Sequence, residues 1–190
     1  MALIPEEHKM HLKEELQQNM KDPVRVVLFT QEIECEFCRE ARQLAQEVAS
    51  LMPDKIAVEI YDFVKDADKA KEFSVDKVPA IVVIGKRDYG IRYYGIPYGY
   101  EVNTFVDTIM NVSKGTTNLS EETKTKLASI EKTVHIQVFV TLTCPYCPVA
   151  AGLAHNFAIE SDKVHADVVE VGEFPYLAQK YSVMGVPKIV

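Results

Sequence analysis

Short apolar runs alternate with amphipathic segments along this chain of 190 residues, and the whole alternation occurs twice. Apolar runs of about four to eight residues fit strands buried on both faces, whereas apolar positions three or four residues apart fit one face of a helix. In the first part the pattern predicts strands at residues 24–30, 56–63, 79–84 and 91–94, and helices at residues 5–20, 38–52, 67–73 and 102–112.

The second part repeats this order. Strands are predicted at residues 134–140, 164–171 and 187–190, and helices at residues 119–130 and 176–181 and directly after Cys144. The helix after Cys144 is expected to turn its larger apolar side chains inward, namely Val149, Ala150, Leu153, Ala154 and Phe157. Residues 111–118 carry Ser, Lys, Gly and two Thr without periodicity, which predicts a linker.

These elements predict an α/β protein of two tandem units, a first unit of residues 1–115 and a second unit of residues 116–190. Each unit is expected to be a mixed four-stranded sheet flanked by helices. The first unit continues well beyond Pro79, whereas few residues follow Pro187, so the second unit is expected to be truncated after its third strand. Another chain could fill that gap, but a fragment is the simpler explanation.

The four cysteines form two Cys-x-x-Cys pairs, Cys35-Glu-Phe-Cys38 and Cys144-Pro-Tyr-Cys147. At nearly the same distance, each pair is followed by a Val-Pro dipeptide, Val78-Pro79 or Val186-Pro187. The pattern therefore repeats at an offset of about 109 residues, roughly one small domain. A dithiol at the start of a helix, facing a proline that opens a later strand, indicates dithiol–disulfide exchange between proteins.

The spacing assigns a role to each cysteine. Cys35 and Cys144 would lie at helix N-termini, where free N–H groups and the helix dipole favour the thiolate that attacks a client disulfide. Cys38 and Cys147 would then resolve the mixed disulfide. Glu36 opposes thiolate formation at the first pair, so the second pair is expected to be the better thiolate site. The Val-Pro dipeptides would position the client segment, because a proline at the start of a strand removes an N–H from the ladder.

Two strand carboxylates are candidates for moving the proton of a resolving thiol. Glu59 and Glu170 both lie in the second strand of a unit, where burial would raise a carboxyl pKa. A strand-end carboxylate that reaches solvent or a lysine is the alternative for each.

Zinc binding by the four cysteines is a competing hypothesis. About 105 residues separate the two pairs, whereas zinc ribbons use roughly 15–20. No histidine lies beside either pair, and the five histidines, His8, His11, His135, His155 and His165, have no metal-ligand spacing. The sequence therefore favours redox chemistry, with no bound metal or other cofactor, because the cysteines themselves carry the electrons.

Charge and hydropathy limit the partners. The net charge is −7 and no basic run is present, which argues against nucleic-acid binding. No apolar stretch approaches the ~20 residues that span a bilayer, and the first residues lack a secretory apolar region. We therefore expect a cytoplasmic protein, where a Cys-x-x-Cys pair is more often redox-active than a structural disulfide.

At these motifs the chain resembles the glutaredoxin-like protein disulfide oxidoreductases of thermophiles, which carry two thioredoxin-fold units in tandem. The resemblance is carried by residues 143–148, 157–160 and 181–190, with residues 92–97 adding to it. It implies cis prolines; reduction, oxidation and isomerisation of protein disulfides; a thioredoxin-reductase-like flavoprotein as electron donor; and peroxiredoxins as clients. An electron-carrying adaptor in a peroxide-reducing assembly is the alternative function.

Overall fold

A computed structural model describes residues 2–190 and contains one mixed α/β fold, as the sequence predicts. The strands are β1 Val24–Thr30, β2 Ile56–Asp62, β3 Ala80–Ile84, β4 Asp88–Tyr94, β5 Val134–Val140, β6 Val164–Glu170 and β7 Lys188–Ile189. The helices are α1 Glu6–Asn19, α2 Cys38–Leu51, α3 Ala67–Glu72, α4 Glu101–Lys114, α5 Glu121–Ala128, α6 Cys147–Glu160 and α7 Pro175–Lys180.

All seven strands belong to one continuous sheet in the order β2-β1-β3-β4-β6-β5-β7. In both halves a central strand, β1 or β5, pairs in parallel with the strand that follows it and antiparallel with the next. The halves are joined by parallel pairing of β4 with β6, which sets Ile91–Tyr94 against Ala166–Val169. Residues of both halves therefore share one hydrogen-bonded framework.

Helices cover both faces of the sheet, which explains the nearly continuous apolar strands. Along β1, Val26 and Leu28 pack into one core with the helices α1, α2, α4 and α6. The alternate side chains, Val27 and Phe29, pack into a second core beneath α3 and α7. Because successive strand residues point to opposite faces, a strand that is covered on both sides needs apolar residues at every position.

The predicted linker is partly wrong. Helix α4 continues to Lys114, and Gly115 ends it in a left-handed conformation with φ 71° while its N–H binds the carbonyls of Asn111 and Val112. The backbone groups of residues 111–114 are thus used within the helix. Glycine adopts the left-handed conformation at a helix C-terminus at low steric cost, so Gly115 determines where α4 ends.

The inner face predicted for α6 is also partly wrong. Val149 is 74% exposed and Leu153 is 43% exposed. The buried residues of α6 are Cys147, Ala151, Ala154, His155, Ala158 and Ile159. Alanine at three of these positions lets α6 approach the sheet and α4 closely, and Val149 and Leu153 lie on the outer face.

None of the helices within residues 2–190 is long and apolar enough to cross a membrane.

Candidate functional site: two disulfides at helix starts

The first Cys-x-x-Cys pair forms a disulfide between the end of β1 and the start of α2. The Cα atoms of Cys35 and Cys38 are 5.5 Å apart. Cys35 is half-buried, whereas Cys38 is 4% exposed and accepts a hydrogen bond at its Sγ from the Gln31 N–H, at 3.4 Å. A client could therefore reach the first cysteine but not the second.

The second pair forms the equivalent disulfide between β5 and α6. The Cα atoms of Cys144 and Cys147 are 5.4 Å apart, and Cys147 is fully buried at the first turn of the helix. The Cys147 N–H donates to the Cys144 Sγ at 3.1 Å. A backbone donor aimed at this sulfur would also stabilise the thiolate that forms on reduction.

The first dithiol opens onto a cleft of about 630 Å³ whose walls come from both halves of the chain. Cys35, Val78 and Pro79 line it from the first unit. Residues of the loop between β6 and α7, among them Gly172 and Glu173, line it from the second. The second unit thus completes the surroundings of the first dithiol.

Both Val-Pro dipeptides have cis peptide bonds, as the family resemblance implies. Val78 and Pro79 reach the cleft of Cys35. Val186 packs against the apolar core that also contains Cys144 and Cys147. The structure therefore brings the first dipeptide to the cleft of Cys35, and for the second it shows packing of Val186 on the large core on one face of the sheet.

The prediction of a raised pKa is wrong for Glu59. Arg25 binds its carboxylate with two hydrogen bonds, 2.5 Å from Nε to Oε1 and 2.9 Å from Nη2 to Oε2, and lowers its pKa. The prediction is confirmed in direction for Glu170, whose pKa is raised by burial at the end of β6. Glu170 accepts a hydrogen bond from the Glu173 N–H at 2.7 Å, so it lies behind the cleft of the first dithiol.

Glu101, at the first residue of α4, is a buried carboxylate that sequence analysis does not identify. It is 1% exposed, and neither carboxylate oxygen has a hydrogen-bond partner among residues 2–190. Burial raises its pKa to about 7. The preceding Tyr100 N–H donates to the Leu142 carbonyl at 3.3 Å, which places the start of α4 against the loop that leads to Cys144.

Glu173 is the second carboxylate that the sequence does not reveal. Its Oε1 accepts a hydrogen bond from the Ile96 N–H at 2.7 Å, across the junction of the two units. Burial, and to a smaller extent the charges of Glu170 and Glu36, raise its pKa to about 7. A Cβ atom at Gly95 would lie only 2.8 Å from this oxygen, so glycine is needed to admit the carboxylate.

Comparisons with known proteins agree with this geometry. A protein disulfide oxidoreductase from Aeropyrum pernix is 34% identical, matches 98% of this chain and 83% of its own, and superposes with a TM-score of 0.90. The chain belongs to the protein disulfide oxidoreductase family. Residues 134–190 also match the thioredoxin domain family model. The chain therefore has a tandem thioredoxin fold.

Alkyl hydroperoxide reductase components are also similar to this chain in sequence and in fold. The NTD_N/C domain of alkylhydroperoxide reductase AhpF from Enterococcus faecalis is 26% identical over 98% of this chain and 89% of its own, with a TM-score of 0.89. An alkyl hydroperoxide reductase component of Staphylococcus aureus is 22% identical over 81% of this chain. The chain spans only 28% of that relative's length.

The topology contradicts a single zinc site built from all four thiolates. Cys35 follows β1 and Cys144 follows β5, and these strands lie four places apart in the sheet. At about 4.8 Å per strand, that separation is roughly 19 Å, far beyond one coordination sphere.

A polar cavity of about 720 Å³ lies on the other face of the sheet, between α3 and α7, and no cysteine lines it. Several of its charged side chains are paired with one another. Arg92 binds Asp88 at 2.7 Å, and His135 binds Asp167 at 2.7 Å, which raises the pKa of His135. The first contact lies within β4, and the second joins β5 with β6.

Gly99→Ala is expected to destabilise the protein by about 2 kcal/mol and to disturb the second dithiol. Gly99 has φ 63°, and an added Cβ would collide with the Leu142 carbonyl oxygen at the loop before Cys144. Urea unfolding of the oxidised protein measures the loss. Gly185→Ala is the matched control because nothing lies within 4 Å of its added Cβ, and an equal loss in both variants would contradict the explanation.

Proposed function

We propose that this chain is a protein dithiol–disulfide oxidoreductase with two redox sites. One observation carries the proposal: both Cys-x-x-Cys pairs close into disulfides at the start of a helix, each with an accessible or less deeply buried first sulfur and a buried second one. Family membership supports the same activity. We assign the first site to the unit of residues 1–115 and the second to the unit of residues 116–190.

In the reducing direction, Cys35 or Cys144 acts as a thiolate on a client disulfide. A bond forms between the cysteine sulfur and one client sulfur, the client S–S bond breaks, and the second client sulfur leaves as a thiolate. Cys38 or Cys147 then attacks the mixed disulfide and releases the other client thiolate. Two electrons pass to the client, and the protein retains the intramolecular disulfide.

A buried resolving cysteine needs a proton acceptor, because its thiolate forms away from water. We assign Glu101 to Cys147, since this carboxyl is buried without a partner at the start of a helix that packs on α6. A pKa of about 7 suits both giving and taking a proton near neutral pH. Glu170 remains a candidate for the same task, whereas the ion pair with Arg25 makes Glu59 a poor one.

Client binding is assigned to the two Val-Pro dipeptides. Val78 and Pro79 line the cleft of Cys35, where an extended client segment could run beside the sulfur. Val186 and Pro187 would do the same at Cys144. This assignment rests on their position and on the spacing from each cysteine pair.

The environment and partners of the protein are proposed from the family resemblance and from the use of its cysteines. We propose a cytoplasmic location in a thermophile, protein disulfides as substrates, a thioredoxin-reductase-like flavoprotein as electron donor, and peroxiredoxins among the clients. The family resemblance supports the donor and the clients, and the use of all four cysteines in redox pairs supports the reducing compartment.

The similarity to the alkylhydroperoxide reductase domain favours one alternative, an electron-carrying adaptor within a peroxide-reducing assembly. In that case the dithiols would serve one fixed partner rather than many clients. A single reductase that co-purifies with the protein, together with slow reduction of unrelated protein disulfides, would support the adaptor.

An alkylation mass-spectrometric titration of the four thiols in a graded dithiothreitol series tests the proposed function. We expect two reversible two-electron steps, one for each pair. The pair Cys144/Cys147 is expected to have the higher reduction potential, because a backbone N–H faces Cys144 whereas Glu36 stands beside Cys35. Thiols that never re-form disulfides within pairs would contradict the proposal.

A further inference from the structure

The β6–α7 loop places an acidic side chain of the second unit at the dithiol of the first. Glu173 lines the same cleft as Cys35 and Pro79, and its Oε1 is held 2.7 Å from the Ile96 N–H. Gly95 makes room for this carboxylate. The side chain is therefore fixed in a defined place rather than free in solvent.

No basic side chain lines the cleft beside the Glu173 carboxyl. The other titratable side chains that line it, besides Cys35, are Glu32, Glu34 and Glu36, and Glu170 approaches Glu173 from the end of β6. Lysine, arginine and histidine are absent from the lining. Among residues 2–190, no salt bridge involves Glu173, so its charge is not neutralised by a neighbour.

We propose that the second unit controls the first dithiol through Glu173, a positioning residue whose carboxyl acts across the cleft on the charge of Cys35. The inference rests on the proposed function, since it concerns the nucleophile of that function. An ionised Glu173 disfavours the neighbouring thiolate, and a protonated one does not.

The consequence is a pH response confined to one of the two dithiols. Burial raises the Glu173 pKa to about 7, so the carboxyl changes charge in the range where the thiolate of Cys35 is needed. Two interacting groups titrate as a pair, and the reactivity of Cys35 should therefore rise with pH over a broader range than that of a single thiol. Cys144 lies outside this cleft and serves as the internal reference.

Glu173→Gln tests the proposal because glutamine keeps the oxygen that accepts the Ile96 N–H and removes only the charge. The reduced full chain is pulsed with iodoacetamide between pH 5 and pH 10, and alkylation of Cys35 and Cys144 is quantified by mass spectrometry. We expect the Cys35 midpoint to fall by about one pH unit, which is about tenfold more thiolate below the midpoint. The Cys144 midpoint should stay unchanged.

The reduction potential of each cysteine pair is a second measurement, which distinguishes an effect of the Glu173 charge from a change in packing. Tenfold stabilisation of the reduced form corresponds to a potential about 30 mV higher for the Cys35/Cys38 pair, again without change at Cys144/Cys147. Glu131→Gln, at an exposed position outside the cleft, is the matched control and should move neither pair.

An unchanged Cys35 profile in the Glu173→Gln variant would overturn the inference, and so would equal shifts at Cys35 and Cys144, because these indicate a general structural effect. Neither result bears on the proposed function. That function fails only if Cys35 and Cys38 do not re-form their disulfide, which the dithiothreitol titration measures separately.

Discussion

Serine at both Cys35 and Cys144 will reduce the rate of protein-disulfide reduction by about a thousandfold or more. The hydroxyl of serine is a far weaker nucleophile than a thiolate, and the remaining Cys38 and Cys147 are 4% and 0% exposed. Cys35 is half-buried and Cys144 is 7% exposed, so in each pair the serine replaces the sulfur that a client reaches more easily. The assay mixes insulin, the protein and dithiothreitol, which re-reduces the protein. The turbidity that appears as the insulin disulfides are reduced measures the rate.

The single variants are the controls for this loss. Cys35→Ser leaves the second dithiol intact, and Cys144→Ser leaves the first, so each should keep part of the activity. The ratio of the two remaining reduction rates gives the contribution of each site to the activity. Substantial activity in the double variant would contradict the assigned roles, because Cys38 or Cys147 would then act as the nucleophile although each is more deeply buried than its partner cysteine.

The oxidised protein is expected to lose about 3 kcal/mol of stability between pH 4.5 and pH 8 through Glu101 alone. The pKa of this carboxyl is raised from an ordinary 4.5 to about 7 in the folded protein. Between these values the folded state binds more protons than the unfolded state does. Stability therefore falls as pH rises through this window, and the full cost remains above pH 7.

Glu101→Gln should remove that contribution, because an amide has no charge to desolvate. Urea unfolding at pH 5, 6, 7 and 8 gives the slope for each protein, and the difference between the slopes isolates Glu101 from other titrating groups. Glu14→Gln, at an exposed position of α1, should leave the slope of the wild type unchanged. A parallel pH dependence in wild type and Glu101→Gln would show that Glu101 ionises normally.

Hydropathy patterning predicts most of the fold. The strands β1 and β5 have the residues expected from the sequence, because their mainly apolar runs stand out against the polar segments on either side. The cysteine pairs and Val-Pro dipeptides are predicted equally well, since their chemistry is local and their spacing repeats.

The two carboxyls with the largest pKa shifts escape such reasoning because their burial depends on distant residues. Glu101 stands at a helix start, where an acidic residue ordinarily faces water and complements the dipole. Glu173 lies in the short loop between β6 and α7. Its contact with Ile96 holds it in the cleft of the first dithiol, and the residue before Glu101 contacts Leu142 in the loop that leads to Cys144. The same limit applies to α6, where packing against the sheet and α4 leaves the apolar side chains of Val149 and Leu153 exposed.

Parallel pairing of β4 with β6 has a consequence for aggregation of the protein. In two separate sheets, β4 and β6 would each expose an unsatisfied edge at which another molecule could pair, whereas their pairing satisfies both edges. At the edge strand β2, Glu59 forms an ion pair with Arg25 of β1, and charged side chains at an edge oppose pairing with another molecule. Joining the two units through one sheet therefore removes two edges at which the protein could aggregate.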